Sequence, residues 1–355
     1  MLISVIIGFR NRDLQRVRYA LDALAAQSSQ AFELIFIDYG SDEAIANEVQ
    51  SLVEQYPFAQ YHYSHTRGWF WNRAHALNTG IRLAKNDLLL LSDIDLVIEK
   101  DLIKKISQFD HKDKFYTFSC FYLPQNFDDA RMNDIEQAGI HYEQNYVGLC
   151  AVKKEDLMRI NGFDEYFMVW GAEDDDLYMR LSRNGLQRIQ TGSKDALVFH
   201  QWHEAASPGI PTLWYLTMVN YLFSGENTLR NISKWGRLIK KEDRVIENEM
   251  QNTNCDPILV NGQTDLLAFN HFIAGFYDQQ KNKGCFVYQE TITAKGKNFF
   301  GWRAKSKEDI RPTIQLKDVV DFLQYFVGIN RHLFSDYYFI KEKDSIRFYY
   351  TRKEL

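Results

Sequence analysis

Three short apolar runs, each stopping on charged or polar residues, limit what this chain can fold into more than any other feature. Ser4-Val5-Ile6-Ile7 runs out at Arg10-Asn11-Arg12, Glu33-Leu34-Ile35-Phe36-Ile37 at Asp38, and Leu88-Leu89-Leu90-Leu91 at Ser92-Asp93-Ile94-Asp95. Apolar runs of this kind, without polar alternation, read as strands buried on both faces. Between them Leu14, Val17, Leu21 and Leu24 repeat at helical spacing. Further helices are expected over residues 44–55 and 73–84, and a further strand over 61–64. Buried strands alternating with helices predict an α/β fold: a Rossmann-like, mostly parallel sheet with helices on both faces. Ligands of such sheets bind beyond the carboxyl ends of the strands. Arg10, Asp38 and Asp93/Asp95 all fall at those ends, so the pattern predicts a single site.

The sequence has room for two domains, divided at the Ser207-Pro208-Gly209-Ile210-Pro211 linker. The expected division is a nucleotide-binding and catalytic domain at 1–210 and an accessory domain at 211–355. The second is expected to be mainly helical or α+β, with roles in acceptor binding or assembly. Its Trp214, Tyr215, Leu222 and Phe223 are candidates for peripheral membrane contact. A net charge of −5, from 42 basic and 47 acidic residues, argues against nucleic acid as a partner. Cys120, Cys150, Cys255 and Cys285 lack paired spacing, which predicts reduced thiols and a cytoplasmic protein. The N-terminus has no basic stretch ahead of its apolar run, and no apolar run has the ~20 residues of a membrane span.

Four clusters carry chemistry. In Asp93-Ile94-Asp95, residues i and i+2 of an extended segment share a face, so two carboxylates are expected to converge. They are open to two readings: solvated acids at a strand exit, or ligands for Mg²⁺ or Mn²⁺ and its phosphate partners. Trp170-Gly171-Ala172-Glu173-Asp174-Asp175-Asp176 reads as a helix start, with Arg180 and Arg183 near the other end and Gly185 beyond it. Four adjacent acids also repel one another. That raises at least one pKa and suits a general base. His200 closes the run Val198-Phe199 and is a candidate third metal ligand, with His203 the fallback. Arg73, in Trp71-Asn72-Arg73-Ala74, can grip a diphosphate through its planar fork, and Asn78 can add a hydrogen bond.

In order along the chain these pieces resemble a GT-A glycosyltransferase. Ser4-Val5-Ile6-Ile7, Ile37-Asp38-Tyr39-Gly40-Ser41 and Asp93-Ile94-Asp95 are similar to family 2. Trp71-Asn72-Arg73-Ala74, Ser92-Asp93-Ile94-Asp95-Leu96, Ile160-Asn161-Gly162-Phe163 and Trp170 to Asp176 resemble the β-1,4-galactosyltransferases and chondroitin-type polymerases. The resemblance spans about residues 3–205. It implies Asp174 as catalytic base with Glu173 beside it. It implies Arg10, Asp38, Arg73, Asn78, Asp93 and Trp170 toward the donor, and Asp175 and Tyr146 toward the acceptor. Asp95, Asp93 and His200 would hold Mn²⁺ (or Mg²⁺). Tyr146 leans toward galactose. Two departures stand out: Tyr39 where family 2 has a second acid that reads the uracil, and Ala172 where the galactosyltransferases have a second glycine.

The expectation is an inverting, metal-dependent transfer of a hexose or N-acetylhexosamine from a UDP-sugar to a saccharide or lipid-linked saccharide. The setting would be bacterial surface polysaccharide or glycolipid synthesis, in the cytoplasm or at the inner face of the membrane. The alternatives are a nucleotidyltransferase, which would want a glycine-rich basic loop in place of Gly8-Phe9-Arg10-Asn11-Arg12, and a non-catalytic sugar-binding subunit.

Overall fold

The computed structural model describes residues 2–125, 143–168, 171–192, 194–204, 235–246, 258–261, 266–278, 283–289, 316–343 and 345–353. The chain divides into two compact units, one of Met1–Arg67 and Trp71–Ile239, the other of Gly68–Phe70 and Lys240–Leu355. The division therefore falls at Ile239–Lys240, later than the expected 210/211; the Ser207–Pro211 linker lies outside the described residues. Residues 235–239 stay with the first unit through specific ties that leave no local pattern in the sequence. Gly236 donates its N–H to Glu165 (2.6 Å), and the Arg237 carbonyl bonds His75 Nε2 (3.1 Å). The Ile239 carbonyl accepts from the His65 N–H (2.8 Å).

The first unit begins β1 (Ile3–Phe9), α1 (Leu14–Ala25), β2 (Phe32–Asp38), α2 (Glu43–Val53), β3 (Ala59–Tyr63), α3 (Arg73–Leu83) and β4 (Leu88–Asp93). It continues β5 (Leu96–Ile98), α4 (Leu102–Gln108), β6 (Lys114–Tyr122), β7 (Glu143–Lys153), α5 (Lys154–Arg159), α6 (Glu173–Arg183), β8 (Gln187–Thr191) and β9 (Val198–His200). The strands form one sheet in the order β3-β2-β1-β4-β7-β6-β9-β5, with β8 paired to β6. The half β3-β2-β1-β4 is parallel, as the βα alternation requires. Beyond β4 the sheet turns mixed, because β7 runs antiparallel to both β4 and β6.

Strands β1, β2 and β4 are covered on both faces, so their residues are mostly apolar: Ile3, Val5, Ile6, Leu34, Ile35, Phe36, Leu88 and Leu89 are all at 0–1% exposure, while the edge strand β3 is half-buried. Each such side chain contributes about 1.5–3 kcal/mol of transfer free energy. Helix α3 lies so close to β1 that a Cβ on Gly80 would meet Ile6 Cγ2 at 2.2 Å, which excludes any larger residue there. The register sets the strand ends level: Phe9 pairs with Asp38 on one side, and Gly8 with Asp93 on the other. That alignment places Asp38 and Asp93 on either side of the end of β1.

The second unit contains β10 (Ile258–Asn261), α7 (Leu266–Tyr277), β11 (Lys283–Gln289), α8 (Leu316–Ile329), β12 (Phe334–Lys341) and β13 (Ser345–Arg352). Its sheet runs β10-β11-β13-β12, so this smaller unit is α+β. Phe272, Phe276, Phe286, Phe326, Phe334, Phe348 and Tyr350 pack ring against ring as its core. Gly68–Phe70 belongs here because Trp69 Nε1 donates to Asp336 (2.7 Å) and the Phe70 N–H donates to the Tyr337 hydroxyl (3.0 Å). Asp336 also pairs with the fully buried Arg244 (3.1 Å). Cys120, Cys150 and Cys285 are free and buried; Cys255 lies outside the described residues. Among the described residues no helix is long and apolar enough to cross a membrane.

Candidate active site

Helix α3 starts with an Asn72 cap, whose Oδ1 accepts the His75 N–H (2.8 Å), so Arg73 is the first helical residue. The Asn72 amide in turn donates to the Glu165 carbonyl (2.7 Å). From that fixed position the Arg73 guanidinium makes three directed bonds. Nε donates to Asp93 (2.6 Å), Nη1 to Asp174 (2.9 Å) and Nη2 to the Gly148 carbonyl (3.0 Å), and Glu173 lies 3.7 Å from Nη1. One cation thus joins the end of β4, the start of α6 and the middle of β7. Burial works against its charge, but Asp174, Asp93 and Glu173 together hold its pKa well above the ordinary value.

Asp174 has a raised pKa. Burial, with Glu173 and Asp93 adding their charge, pushes its carboxyl up to about 8, and Arg73 opposes the rise. Of the other three acids in the run, Glu173 contributes to this rise, behind desolvation. Asp176 instead forms a buried ion pair with Arg180, whose Nη1 reaches the Ile160 and Gly162 carbonyls (3.0 and 2.7 Å). Gly162 has φ +65, and a Cβ there would lie 2.3 Å from Asn78 Oδ1, which accounts for the Asn161-Gly162 string. Ala172, the residue before α6, has φ 69, the left-handed region where the expected glycine carries no strain.

The two acids at the end of β4 part company. β4 ends at Asp93 and the chain turns through Ile94-Asp95, so the shared-face rule for extended residues does not hold there. Asp93 goes to Arg73. Asp95 goes to a histidine pair, with Oδ2 3.3 Å from His203 Nε2 and 3.7 Å from His200 Nε2. One ligand atom from each of Asp95, His200 and His203 lies within 4.8 Å of the others. Burial pushes the Asp95 carboxyl up. The hydrogen bond from His203 and the charges of His200, His203 and Arg16 outweigh that and hold it below the ordinary value. The same hydrogen bond raises His203, while burial lowers His200. The buried Asp95 Oδ1 has no hydrogen-bond partner among the described residues. An unspent carboxylate oxygen beside two imidazoles fits a divalent ion that accepts N and O donors, such as Mn²⁺. His203 thus joins His200 rather than standing in reserve, and Asp93 lies outside the cluster.

Asn78, Asp38 and Tyr39 are buried and hydrogen-bonded within the fold. Asn78 is wholly buried, with its amide donating to the Phe163 carbonyl and Glu165 and its Oδ1 accepting the Phe163 N–H, so it positions the loop that carries them. Asp38 is at 0% exposure, with one oxygen on the Ser41 N–H and the other on the Tyr61 hydroxyl (2.8 Å each); reaching a donor would require one of these bonds to open. Burial raises its carboxyl. Tyr39 is at 1% exposure with its hydroxyl on His75 Nδ1 (2.9 Å) and its ring edge-on to Trp71, so it offers no face to a base. Arg10 acts electrostatically on Asp38. Asp175 is half-buried in the first turn of α6. Trp170 and the Tyr146 side chain lie outside the described residues, although Tyr146 is on β7.

The sheet order, the acid-tipped β4 and the acidic start of α6 facing it through Arg73 define a GT-A fold. More narrowly, residues 4–155 match the model described as Glycosyl transferase family 2, and residues 131–201 the one described as the N-terminal domain of galactosyltransferase. The chain is thus family-2-like in its N-terminal part and galactosyltransferase-like in the stretch that follows, as its motifs indicated. Among curated proteins, beta-1,4-galactosyltransferase 1 of Bos taurus is 32% identical over 33% of this chain and 26% of its own length. Beta-1,4-galactosyltransferase 4 of Homo sapiens is 27% identical over 41% of this chain and 40% of its own. The chain spans about a quarter of the length of the first of these relatives. A structure of GalNAc-T7 with UDP, GalNAc and Mn²⁺ aligns at TM-score 0.48, with 15% identity over 62% of this chain and 47% of that one. The mannosyltransferase PcManGT from Pyrobaculum calidifontis, in complex with GDP-Man and Mn²⁺, aligns at 0.45, with 19% identity over 63% and 62%.

Proposed function

We propose that the chain is an inverting, metal-dependent glycosyltransferase that moves a hexose or N-acetylhexosamine, with galactose favoured, from a UDP-sugar to a saccharide or lipid-linked saccharide. The observation that carries this reading is Arg73, which holds Asp174 of α6 against Asp93 at the end of β4. It puts a carboxylate of raised pKa beside the strand end where a sheet of this kind takes its ligand.

Asp95, His200 and His203 would hold Mn²⁺ or Mg²⁺, which when bound supplies a Lewis acid for the departing diphosphate. Asp174 accepts the proton of the acceptor hydroxyl as that oxygen attacks the anomeric carbon from the face opposite the diphosphate. Glu173 keeps the Asp174 carboxylate basic, and Asp175 and Tyr146 are the acceptor-side candidates. Arg73 fixes both acids and is the nearest donor-side cation, available to a diphosphate if Asp93 releases it. The resemblance to galactosyltransferases supports the galactose preference, and the setting is surface polysaccharide or glycolipid synthesis at the inner face of the membrane. Asp174→Asn keeps the shape of the side chain and removes its basicity. Transfer should fall by at least about a hundredfold, the lower end of a general base's contribution, with UDP affinity kept within about threefold. Turnover at the wild-type rate in that variant would refute the assignment.

A further inference from the structure

Arg16, in the first turn of α1, has no part in the mechanism above, yet the fold builds it against the candidate metal cluster. Its side chain is 13% exposed, and its ion-pair partner Asp13 (3.3 Å) is 56% exposed. Asp13 is committed to α1 as well, because its Oδ1 caps the Arg16 N–H at 2.9 Å. Arg16 Nε is buried and has no hydrogen-bond partner among the described residues. A buried guanidinium N–H with no acceptor is costly unless a ligand supplies one.

Gln201 shows what it lies beside. This buried residue, next to His200 and two before His203, donates from Nε2 to the Arg16 carbonyl (3.2 Å) and from its N–H to the Asp95 carbonyl (2.8 Å). One residue therefore locks the turn carrying Arg16 to the turn carrying Asp95. A fixed cation beside a cation site weakens binding of a bare metal ion. It becomes favourable once a multiply charged anion spans both positive centres.

We propose that Arg16 is an anion-binding residue of the donor site, its buried Nε giving a hydrogen bond to a phosphate oxygen of the nucleotide diphosphate, so that metal and diphosphate bind cooperatively at Asp95, His200 and His203. This rests on the glycosyltransferase reading. It adds a residue that neither the motifs nor the resemblance pointed to, and it predicts a linkage between two ligands.

Isothermal titration of the full chain with Mn²⁺ alone, UDP alone, and UDP at saturating Mn²⁺ tests it. Arg16→Gln should weaken UDP about tenfold at saturating Mn²⁺, the scale of one charge-assisted hydrogen bond. The same variant should bind Mn²⁺ alone as tightly as the wild type or more tightly, because a repulsive charge is gone. Asp13→Asn keeps a helix cap and frees the guanidinium, so UDP affinity should hold or rise. UDP affinity of Arg16→Gln within twofold of wild type would overturn the proposal. So would an equal loss in Asp13→Asn, which would trace the effect to the α1 turn. Wild-type chain that binds no UDP with or without Mn²⁺ would instead bring down the donor-site reading itself, and this inference with it.

Discussion

Replacing Arg180 with methionine removes the clamp that seats helix α6. Arg180 and Asp176 are 3% and 1% exposed, with Nε 2.7 Å and Nη2 2.6 Å from the same Asp176 oxygen. Nη1 meanwhile serves the Ile160 and Gly162 carbonyls. Without Arg180 the buried Asp176 carboxylate loses its ion-pair partner, a loss of about 3–5 kcal/mol, against a total stability of about 5–15 kcal/mol for ordinary domains. With a urea slope near ~2 kcal/mol per molar, the unfolding midpoint of the first unit should drop by about 2 M. The double variant Asp176→Leu/Arg180→Met removes that carboxylate as well and should regain part of the loss. The two carbonyls still lack their donor, at about 1–3 kcal/mol each. Equilibrium urea unfolding of the three proteins decides the matter. A single variant within about 1 kcal/mol of wild type, or a double variant no more stable than the single, would refute the reasoning that this pair holds α6 in place.

A general base at Asp174 would work only when deprotonated, and burial pushes that carboxyl up to about 8, so on this reading kcat should climb about tenfold per pH unit below that value and level off above it. Because the Glu173 charge contributes to the rise, Glu173→Gln should move the midpoint of that profile to lower pH; an unmoved midpoint would remove Glu173 from the account. Ala172→Gly relieves a left-handed alanine and should stabilise the first unit by about 1 kcal/mol in the same urea experiment, while a loss would show that the alanine methyl packs usefully.

The parallel half of the sheet was legible mainly through β1, β2 and β4, which are nearly continuous apolar runs, and the register sets their polar ends level at the candidate site. The mixed half was not, since β7 and β9 carry no period that tells parallel from antiparallel. Asp93 and Asp95 were read as one unit by a rule for extended chains, but the chain turns between them and sends each acid to a different cation-rich partner. The partners of Asn78 and Asp38 are not legible either, because a string of letters shows a polar group but not the buried partner that satisfies it. The Asp176–Arg180 pair did leave a signal, an acid and a base four residues apart on a helix, which was absorbed into the general reading of helix ends. The unit boundary at Ile239–Lys240 rests on single hydrogen bonds, to which sequence periodicity is blind.

The central claim is that this site transfers a sugar from a nucleotide diphosphate. Its most direct test is product release from a panel of nucleotide sugars with a saccharide acceptor, with and without Mn²⁺, in wild type and Asp174→Asn. The expected result is UDP release from a UDP-hexose, dependent on Mn²⁺ and lost in the variant. Release of pyrophosphate, or no UDP from any donor in the panel, would contradict it.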